Sequence, residues 1–147
     1  MRALNFDMDG TIASLYGVEG WLDYIIARDT TPYETAKPLL NLRVFARRIN
    51  TLQRKGYKLN VISWLAKNST KEYDKAVTTA KLNWLKKHLP SVKWDNINIV
   101  AYGTPKSECG THILFDDEEN NRTEWENKGG IAYDVNNILE VLKNLNL

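Results

Sequence analysis

The sequence predicts an α/β fold with an open, mostly parallel sheet that is covered by helices on both faces. Short apolar runs with the length of buried strands alternate with segments that carry an apolar stripe at helical spacing. This alternation is typical of strand–helix–strand units, which build parallel sheets. The predicted strands are residues 3–7, 58–63, 97–101, 112–115 and 131–135.

Helices are predicted where apolar residues recur every three or four positions. Residues 18–28 form one such segment, and residues 29–38, which contain two prolines, predict a loop. Asn41 would cap the next helix and Gly56 would end it. Further helices are expected from the capping-box spacing of residues 69–72 to just before Pro90, and after Asn136 or Asn137.

Length and composition indicate one globular domain that spans residues 1–147. The net charge of +2 gives no strong electrostatic reason to expect a partner such as nucleic acid or a membrane surface. Cys109 is the only cysteine, so an internal disulfide is impossible and a structural zinc site is not expected. The first residues lack the apolar stretch of a secretory signal, and we expect a cytoplasmic protein, in the host cytoplasm if it is phage-encoded.

Acidic residues follow two of the predicted strands. Asp7 and Asp9 come after the first strand, and Asp116 and Asp117 follow the run Ile-Leu-Phe. Ligands of open α/β sheets bind outside the carboxyl ends of the strands, so these acids and Ser63 should converge at one edge. Burying like charges together is costly unless a cation compensates, and oxygen ligands suit Mg²⁺.

Such a site has the groups needed for phosphoryl transfer. A carboxylate can attack phosphorus, and a second acid can protonate the departing oxygen and then deprotonate water. A metal ion and a lysine can offset the charge of the phosphoryl oxygens, and a hydroxyl can hold one of them. The sequence offers all of these groups.

The same residues carry a resemblance to the haloacid dehalogenase-like (HAD) phosphohydrolase superfamily. Residues 7–11, Asp-Met-Asp-Gly-Thr, match its DxDGT motif. Ser63, Lys106 and the pair Asp116–Asp117 resemble its second, third and fourth motifs, in the family's order. The resemblance implies a three-layer, Rossmann-like core and a Mg²⁺-dependent phosphatase.

The resemblance also implies a role for each residue. Asp7 would be the nucleophile, and Asp9 the general acid and base that gives its backbone carbonyl to the metal. Ser63 and Lys106 would hold the phosphoryl group, and Lys106 would also restrain Asp7. Asp117 would be the closer metal ligand and Asp116 a supporting one.

Lys106 is chosen over three other lysines between the second and fourth motifs. Its short distance in sequence from the paired acids is similar to that in the nucleotidase-type branches of the family. The alternatives are Lys86, Lys87 and Lys93.

Little of the chain is available for a cap over the site. Residues 12–41 allow a hairpin flap at residues 14–17 and one helix, so the cap is expected to be minimal or absent. We expect a small phosphorylated substrate, most plausibly a nucleotide or a similar phosphomonoester. The end of a polynucleotide is a possible substrate but is not favoured.

Other functions are compatible with these residues. One is a non-enzymatic module that binds metal and phosphate, such as a response-regulator receiver, although a receiver carries its paired acids first and its phospho-acceptor later. Another is a phosphotransferase with an acceptor other than water. Trp64 could stack on a nucleobase, but packing under a loop is favoured. Residues 120–122 could reach the site from the loop after the fourth motif, but a surface turn is favoured.

Overall fold

A five-stranded parallel sheet forms the centre of the protein in a computed structural model that describes residues 2–146. The strands are β1 (Ala3–Phe6), β2 (Ala13–Ser14), β3 (Lys37–Pro38), β4 (Lys58–Trp64), β5 (Asn96–Val100), β6 (Ile113–Phe115) and β7 (Ile131–Tyr133). The strand order of the sheet is β5-β4-β1-β6-β7, and a separate two-stranded antiparallel ribbon pairs β2 with β3. The helices are α1 (Trp21–Ile26), α2 (Thr31–Thr35), α3 (Leu42–Arg54), α4 (Lys71–His88), α5 (Glu119–Asn127) and α6 (Ile138–Leu145).

The register of the three central strands aligns their carboxyl ends. Phe6 of β1 is paired with Val61 of β4 on one side and with Phe115 of β6 on the other. The residues that follow these pairs therefore reach the same edge of the sheet, as the sequence predicted. The predicted α/β class and the mostly parallel sheet are confirmed.

Side chains alternate between the two faces of the sheet, and helices cover both. Leu4, Phe6 and Phe115 point to the face that packs against α3 and α6. On the opposite face, Ile62 and Leu114 pack against Trp125 of α5. Because both faces of the central strands are buried, these strands are nearly continuous apolar runs in the sequence.

The predicted caps of the two long helices lie close to where the sequence placed them. The side chain of Asn41 accepts a hydrogen bond from the amide of Val44 at 3.2 Å and begins α3, which ends just before Gly56. At α4 the capping side chain is Thr70, which accepts from the amide of Tyr73 at 3.1 Å. The capping-box spacing placed this cap one residue earlier.

The segment predicted as a loop over residues 29–38 contains α2 and β3 instead. Proline is compatible with the first turn of a helix, where Pro32 lies, because those amides have no partner within the helix. Tyr33 is buried in a cluster with Leu15 and with Val77 of α4. The segment between β2 and β3 thus holds two short helices, where the sequence predicted a hairpin flap and one helix.

Two features near the carboxyl terminus also differ from expectation. Helix α5 lies where the sequence predicted a surface turn. It was not predicted because its apolar contact with the core comes from one large side chain, Trp125, and not from a repeating apolar stripe. Residues 135–137 form a 3₁₀ turn ahead of α6, and the carboxylate of Asp134 accepts from the amide of Val135 at 2.7 Å. Asn137 precedes α6 without a capping hydrogen bond from its side chain. No helix within residues 2–146 is both long and apolar enough to cross a membrane.

A row of asparagines that is buried at Asn5 and Asn60 and exposed at Asn96 crosses the sheet below the site. The amide of Asn5 donates to the carbonyl oxygens of Thr111 and Ile113 at 2.8 and 2.9 Å. Asn60 donates to the side-chain oxygen of Asn5, and Asn96 donates to that of Asn60. These bonds tie the beginning of β6 to β1 and β4, and they thereby help to fix the register that aligns the strand ends.

We expect Asn5→Leu to lower the free energy of unfolding by about 2–4 kcal/mol, because it removes the side-chain bonds of Asn5 to two carbonyl oxygens and to the Asn60 amide. Urea unfolding measures the change. Asn96→Ala, at the exposed end of the row, is the matched control and should cost about 1 kcal/mol or less. Equal costs for the two variants would contradict a structural role for the row.

Candidate active site

Three carboxylates meet at the carboxyl edge of the central strands. Asp7 follows β1, and Asp116 and Asp117 follow β6. One oxygen from each of the three lies within 4.8 Å of the others, which is close enough for a single metal ion to touch all of them. The register of β1 and β6 causes this approach, since it places Asp7 beside Asp116. The structure therefore brings together the two acid pairs that are far apart in the sequence.

Lys106 lies between Asp7 and Asp116, two of the three acids of this cluster. Its ammonium donates to Asp7 Oδ1 at 2.8 Å and to Asp116 Oδ2 at 2.7 Å, and its side chain is buried. Burial opposes the charged form, but the two carboxylates outweigh that effect and raise the pKa of Lys106. Of the lysines considered from the sequence, Lys106 is the one that contacts Asp7.

Asp116 has several partners beneath the cavity. Its carboxylate accepts from Lys106, from the amide of Glu118 at 2.9 Å and from the side chain of Asn121 at 3.2 Å. Arg122 donates to its carbonyl oxygen at 3.0 Å. The interpretation of residues 120–122 as a surface turn is therefore wrong, because all three belong to α5. Asn121 and Arg122 support the acid, and Asn120 lines the cavity.

The two neighbouring acids Asp116 and Asp117 resist ionisation. Burial raises the pKa of Asp117 to about 8, and a hydrogen bond with Asp7 and the charges of Asp7 and Asp116 add to the effect. Burial and the charge of Asp7 raise the pKa of Asp116 to about 6, against the opposing effect of Lys106. A cation bound between crowded carboxyl groups of this kind would favour their ionised forms.

Asp9 is paired with a second buried lysine that the sequence analysis missed. Lys81 of α4 is 1% exposed and donates to Asp9 Oδ2 at 3.0 Å. Burial raises the pKa of Asp9, and the ammonium offsets that rise only in part. A signal was present, because Lys81 lies four residues after Val77 and four before Leu85, within the apolar stripe of α4.

Ser63 lies next to this lysine and is fully buried. Its hydroxyl oxygen accepts from Lys81 at 2.7 Å. The side chain is not part of the cavity wall, which at this strand end is formed by Trp64 and Leu65. Ser63 therefore lies behind the residues that face the cavity, close to Asp9.

The turn after β1 is closely packed against Asp117. The Thr11 hydroxyl lies 3.0 Å from Asp7 Oδ2 and 3.2 Å from Asp117 Oδ1. Gly10 has a φ of +83°, and a Cβ there would lie 2.4 Å from Asp117 Oδ2. The glycine therefore gives both the left-handed backbone and the space that the carboxylate occupies.

A cavity of about 800 Å³ opens above the acids. Asp7, Asp9, Asp117 and Lys106 line its floor, and aromatic rings line much of its wall. The rings of Trp64 and Tyr102 lie 5.0 Å apart, and the indole of Trp64 donates to the carbonyl of Thr104 at 2.8 Å. The other aromatic lining residues are Tyr16, Trp21 and Tyr33.

The site carries more negative than positive charge when its acids are ionised. Four carboxylates, those of Asp7, Asp9, Asp116 and Asp117, face two buried ammonium groups. The excess equals the charge of one divalent cation. The donor set and the charge balance both fit such an ion.

We expect Gly10→Ala to abolish activity because the new methyl group displaces the Asp117 carboxylate. Gly129→Ala is the matched control, since Gly129 has a φ of +92° and no atom within 4 Å of the added methyl. Both variants should lose about 1–2 kcal/mol from the left-handed backbone alone. Thermal melting and phosphatase assays separate the two effects, and a fully active Gly10→Ala enzyme would contradict the close packing.

Comparison with known proteins assigns the family. The model of the family described as "5' nucleotidase, deoxy (Pyrimidine), cytosolic type C protein" matches residues 39–141, a stretch that contains both lysines and the late acid pair but not Asp7 or Asp9. A search of curated proteins found no match.

Two solved structures are similar in fold. D,D-heptose 1,7-bisphosphate phosphatase from Burkholderia thailandensis has a TM-score of 0.55 and 12% identity, covering 99% of this chain and 98% of that one. HAD family enzyme bt-2542 from Bacteroides thetaiotaomicron has a TM-score of 0.49 and 12% identity, covering 91% and 93%. The first likeness shows a shared fold, and the family match covers most of this chain. The chain belongs to the deoxy (pyrimidine) cytosolic type C 5' nucleotidase family, and it is a HAD-type phosphatase.

Proposed function

We propose that this protein is a Mg²⁺-dependent phosphomonoesterase that acts through an aspartyl-phosphate on Asp7, with a nucleotide or a similar phosphomonoester as substrate. The observation that carries the proposal is the position of Lys106 between Asp7 and Asp116 on the floor of the cavity. This arrangement holds a carboxylate oriented towards a ligand and supplies a positive charge beside it.

Asp7 and Asp117 would hold the metal ion directly, together with the backbone carbonyl of Asp9. Asp116 would support them, because its oxygens already accept from Lys106, Glu118 and Asn121. When bound, the ion would offset the negative charge of the acids and of the phosphoryl oxygens.

The proposed reaction has two steps at Asp7. In the first, an oxygen of Asp7 forms a bond to phosphorus, the ester P–O bond breaks, and Asp9 gives a proton to the departing oxygen. In the second, Asp9 takes a proton from water, the water oxygen attacks phosphorus, and the bond to Asp7 breaks to release phosphate. Lys106 stabilises the charge on the phosphoryl oxygens in both steps.

Ser63 remains part of the proposal in a more limited form. Its oxygen accepts from Lys81, so its own proton is available for a phosphoryl oxygen. Its position behind the cavity wall means that this contact depends on how deeply the phosphoryl group enters.

The cavity supports a nucleotide as the substrate. Its volume of about 800 Å³ lies within the range of small-molecule sites, which is about 300–1,000 Å³. Trp64 and Tyr102 offer aromatic faces on which a base could stack. The family description names a 5' nucleotidase and a cytosolic protein, and we include a cytoplasmic location and a 5'-nucleotide substrate in the proposal.

We expect Asp7→Asn to reduce hydrolysis of nucleoside 5'-monophosphates and of p-nitrophenyl phosphate to background, because the nucleophile is lost. Phosphate release in Mg²⁺ and in EDTA measures the effect, and EDTA should also reduce phosphate release by the wild type to background. Glu126→Gln removes an exposed carboxylate of α5 and is the matched control. Retained turnover in Asp7→Asn would reject the mechanism.

The same assays distinguish the other candidate functions. Repeated release of inorganic phosphate indicates a hydrolase. Release of p-nitrophenol that requires an added alcohol, with the phosphoryl group recovered as an ester of that alcohol, indicates a phosphotransferase. A panel that includes 3'- and 5'-phosphorylated oligonucleotides tests whether polynucleotide ends are accepted. A protein that becomes labelled once and then stops would be a signalling module.

The raised pKa of Asp117 gives an expected pH dependence of stability in EDTA. The folded state binds this proton more tightly than the unfolded chain does, so stability is lost as the pH rises from about 4 towards about 8. Asp117→Asn cannot ionise and avoids that loss. Its melting temperature relative to the wild type should therefore increase between pH 5 and pH 8.

Added Mg²⁺ should raise the melting temperature of the wild type at pH 8 more than at pH 5, since the ion competes with the proton. The Asp117→Asn variant should respond weakly at both pH values. If Mg²⁺ raised the melting temperature of the two proteins by the same amount at each pH, that result would contradict a metal site at Asp117.

A further inference from the structure

Lys81 is a buried charge whose partners are all specific. Its ammonium donates to Asp9 Oδ2 at 3.0 Å, to Ser63 Oγ at 2.7 Å and to the carbonyl oxygen of Trp64 at 2.7 Å. The ring of Tyr33 lies 5.2 Å away, at a distance suited to a cation–π contact. All three N–H groups are thus used, which is what the burial of a lysine requires.

These contacts fix the ammonium in place and keep it away from the ligand. Lys81 is 1% exposed and is not part of the cavity wall, whereas Asp9 is. A move towards a phosphoryl group would break hydrogen bonds to Ser63 and Trp64 in a buried place, where unmade hydrogen bonds are costly. Lys81 can therefore influence the reaction only through Asp9 and the end of β4.

The contact with Asp9 selects one of its two oxygens. Lys81 occupies Oδ2, and among residues 2–146 no hydrogen bond reaches Oδ1. The second oxygen is the one available to exchange a proton at the cavity. The same ammonium holds Ser63 and Trp64, so the position of Asp9 is fixed relative to the end of β4.

We propose that Lys81 is a positioning residue that holds the Asp9 carboxyl group in the orientation needed to protonate the leaving group. The inference rests on the proposed function, in which the ester P–O bond breaks while the Asp9 proton moves to the departing oxygen. A misplaced Asp9 would slow this step most for a leaving group that needs the proton. General acids typically contribute about 10²–10⁴-fold to such steps.

The experiment compares two substrates with different leaving groups. A nucleoside 5'-monophosphate releases an alkoxide that must be protonated, and p-nitrophenyl phosphate releases a phenolate that is stable without a proton. The quantity measured is kcat/KM, because it reports the steps up to departure of the leaving group and not the later hydrolysis of the aspartyl-phosphate.

We expect Lys81→Met to lower kcat/KM for the nucleoside monophosphate by about 10²-fold or more, and for p-nitrophenyl phosphate by about tenfold or less. Lys81→Arg, which keeps the charge, should give an intermediate ratio. Lys86→Met is the matched control, an exposed lysine of the same helix, and should change neither value. Melting curves show whether each variant is folded.

Each outcome decides between distinct failures. Equal losses on the two substrates in folded Lys81→Met would overturn the positioning role and leave only a structural one. If Lys81→Met does not fold, the ratio for Lys81→Arg is used, and a ratio equal to that of the wild type overturns the inference. A wild type that hydrolyses neither substrate would refute the proposed function itself.

Discussion

The structure depends on the compensation of buried negative charge at one edge of a parallel sheet. The register of β1, β4 and β6 brings four carboxylates together, and ion pairs with two lysines neutralise part of their negative charge. Neighbouring residues also help to accommodate the buried carboxylates. Gly10 leaves room for Asp117, and Asn121 and the amide of Glu118 support Asp116. Without these partners the desolvated acids would oppose the packing of the strand ends.

The two lysines also give the acids of the first motif different surroundings. Asp7 and Asp9 are two residues apart, yet Lys106 contacts only the first and Lys81 only the second. Lys106 shares its charge between Asp7 and Asp116, whereas Lys81 shares hydrogen bonds with a hydroxyl and a backbone carbonyl. Carboxyl groups in different environments can take different roles, here those of nucleophile and proton carrier in the proposed mechanism.

The sequence predicted the features that depend on local patterns of apolar and acidic residues. Apolar runs located the strands, and the acids after β1 and β6 indicated the site, since adjacent parallel strands end at one edge. Helix α5 was missed because it is largely polar and packs through Trp125. Lys81 was missed because a lysine within an apolar stripe gains its meaning only when the tertiary structure places Asp9 beside it.

Helix α4 connects Asp9 to residues 29–36, a segment that contributes Tyr33 to the cavity wall. Tyr73 donates to the carbonyl of Asp29 at 2.8 Å, and Trp84 donates to that of Ala36 at 2.8 Å, so α4 holds this segment at two points that flank α2. Lys81 lies between these two anchors along the helix and touches both Asp9 and the ring of Tyr33. Since Tyr33 also lines the cavity, part of the cavity wall and the acid proposed to protonate the leaving group are held by the same helix. Such shared support keeps a catalytic geometry precise, because displacement of either part would require the buried contacts of α4 to break.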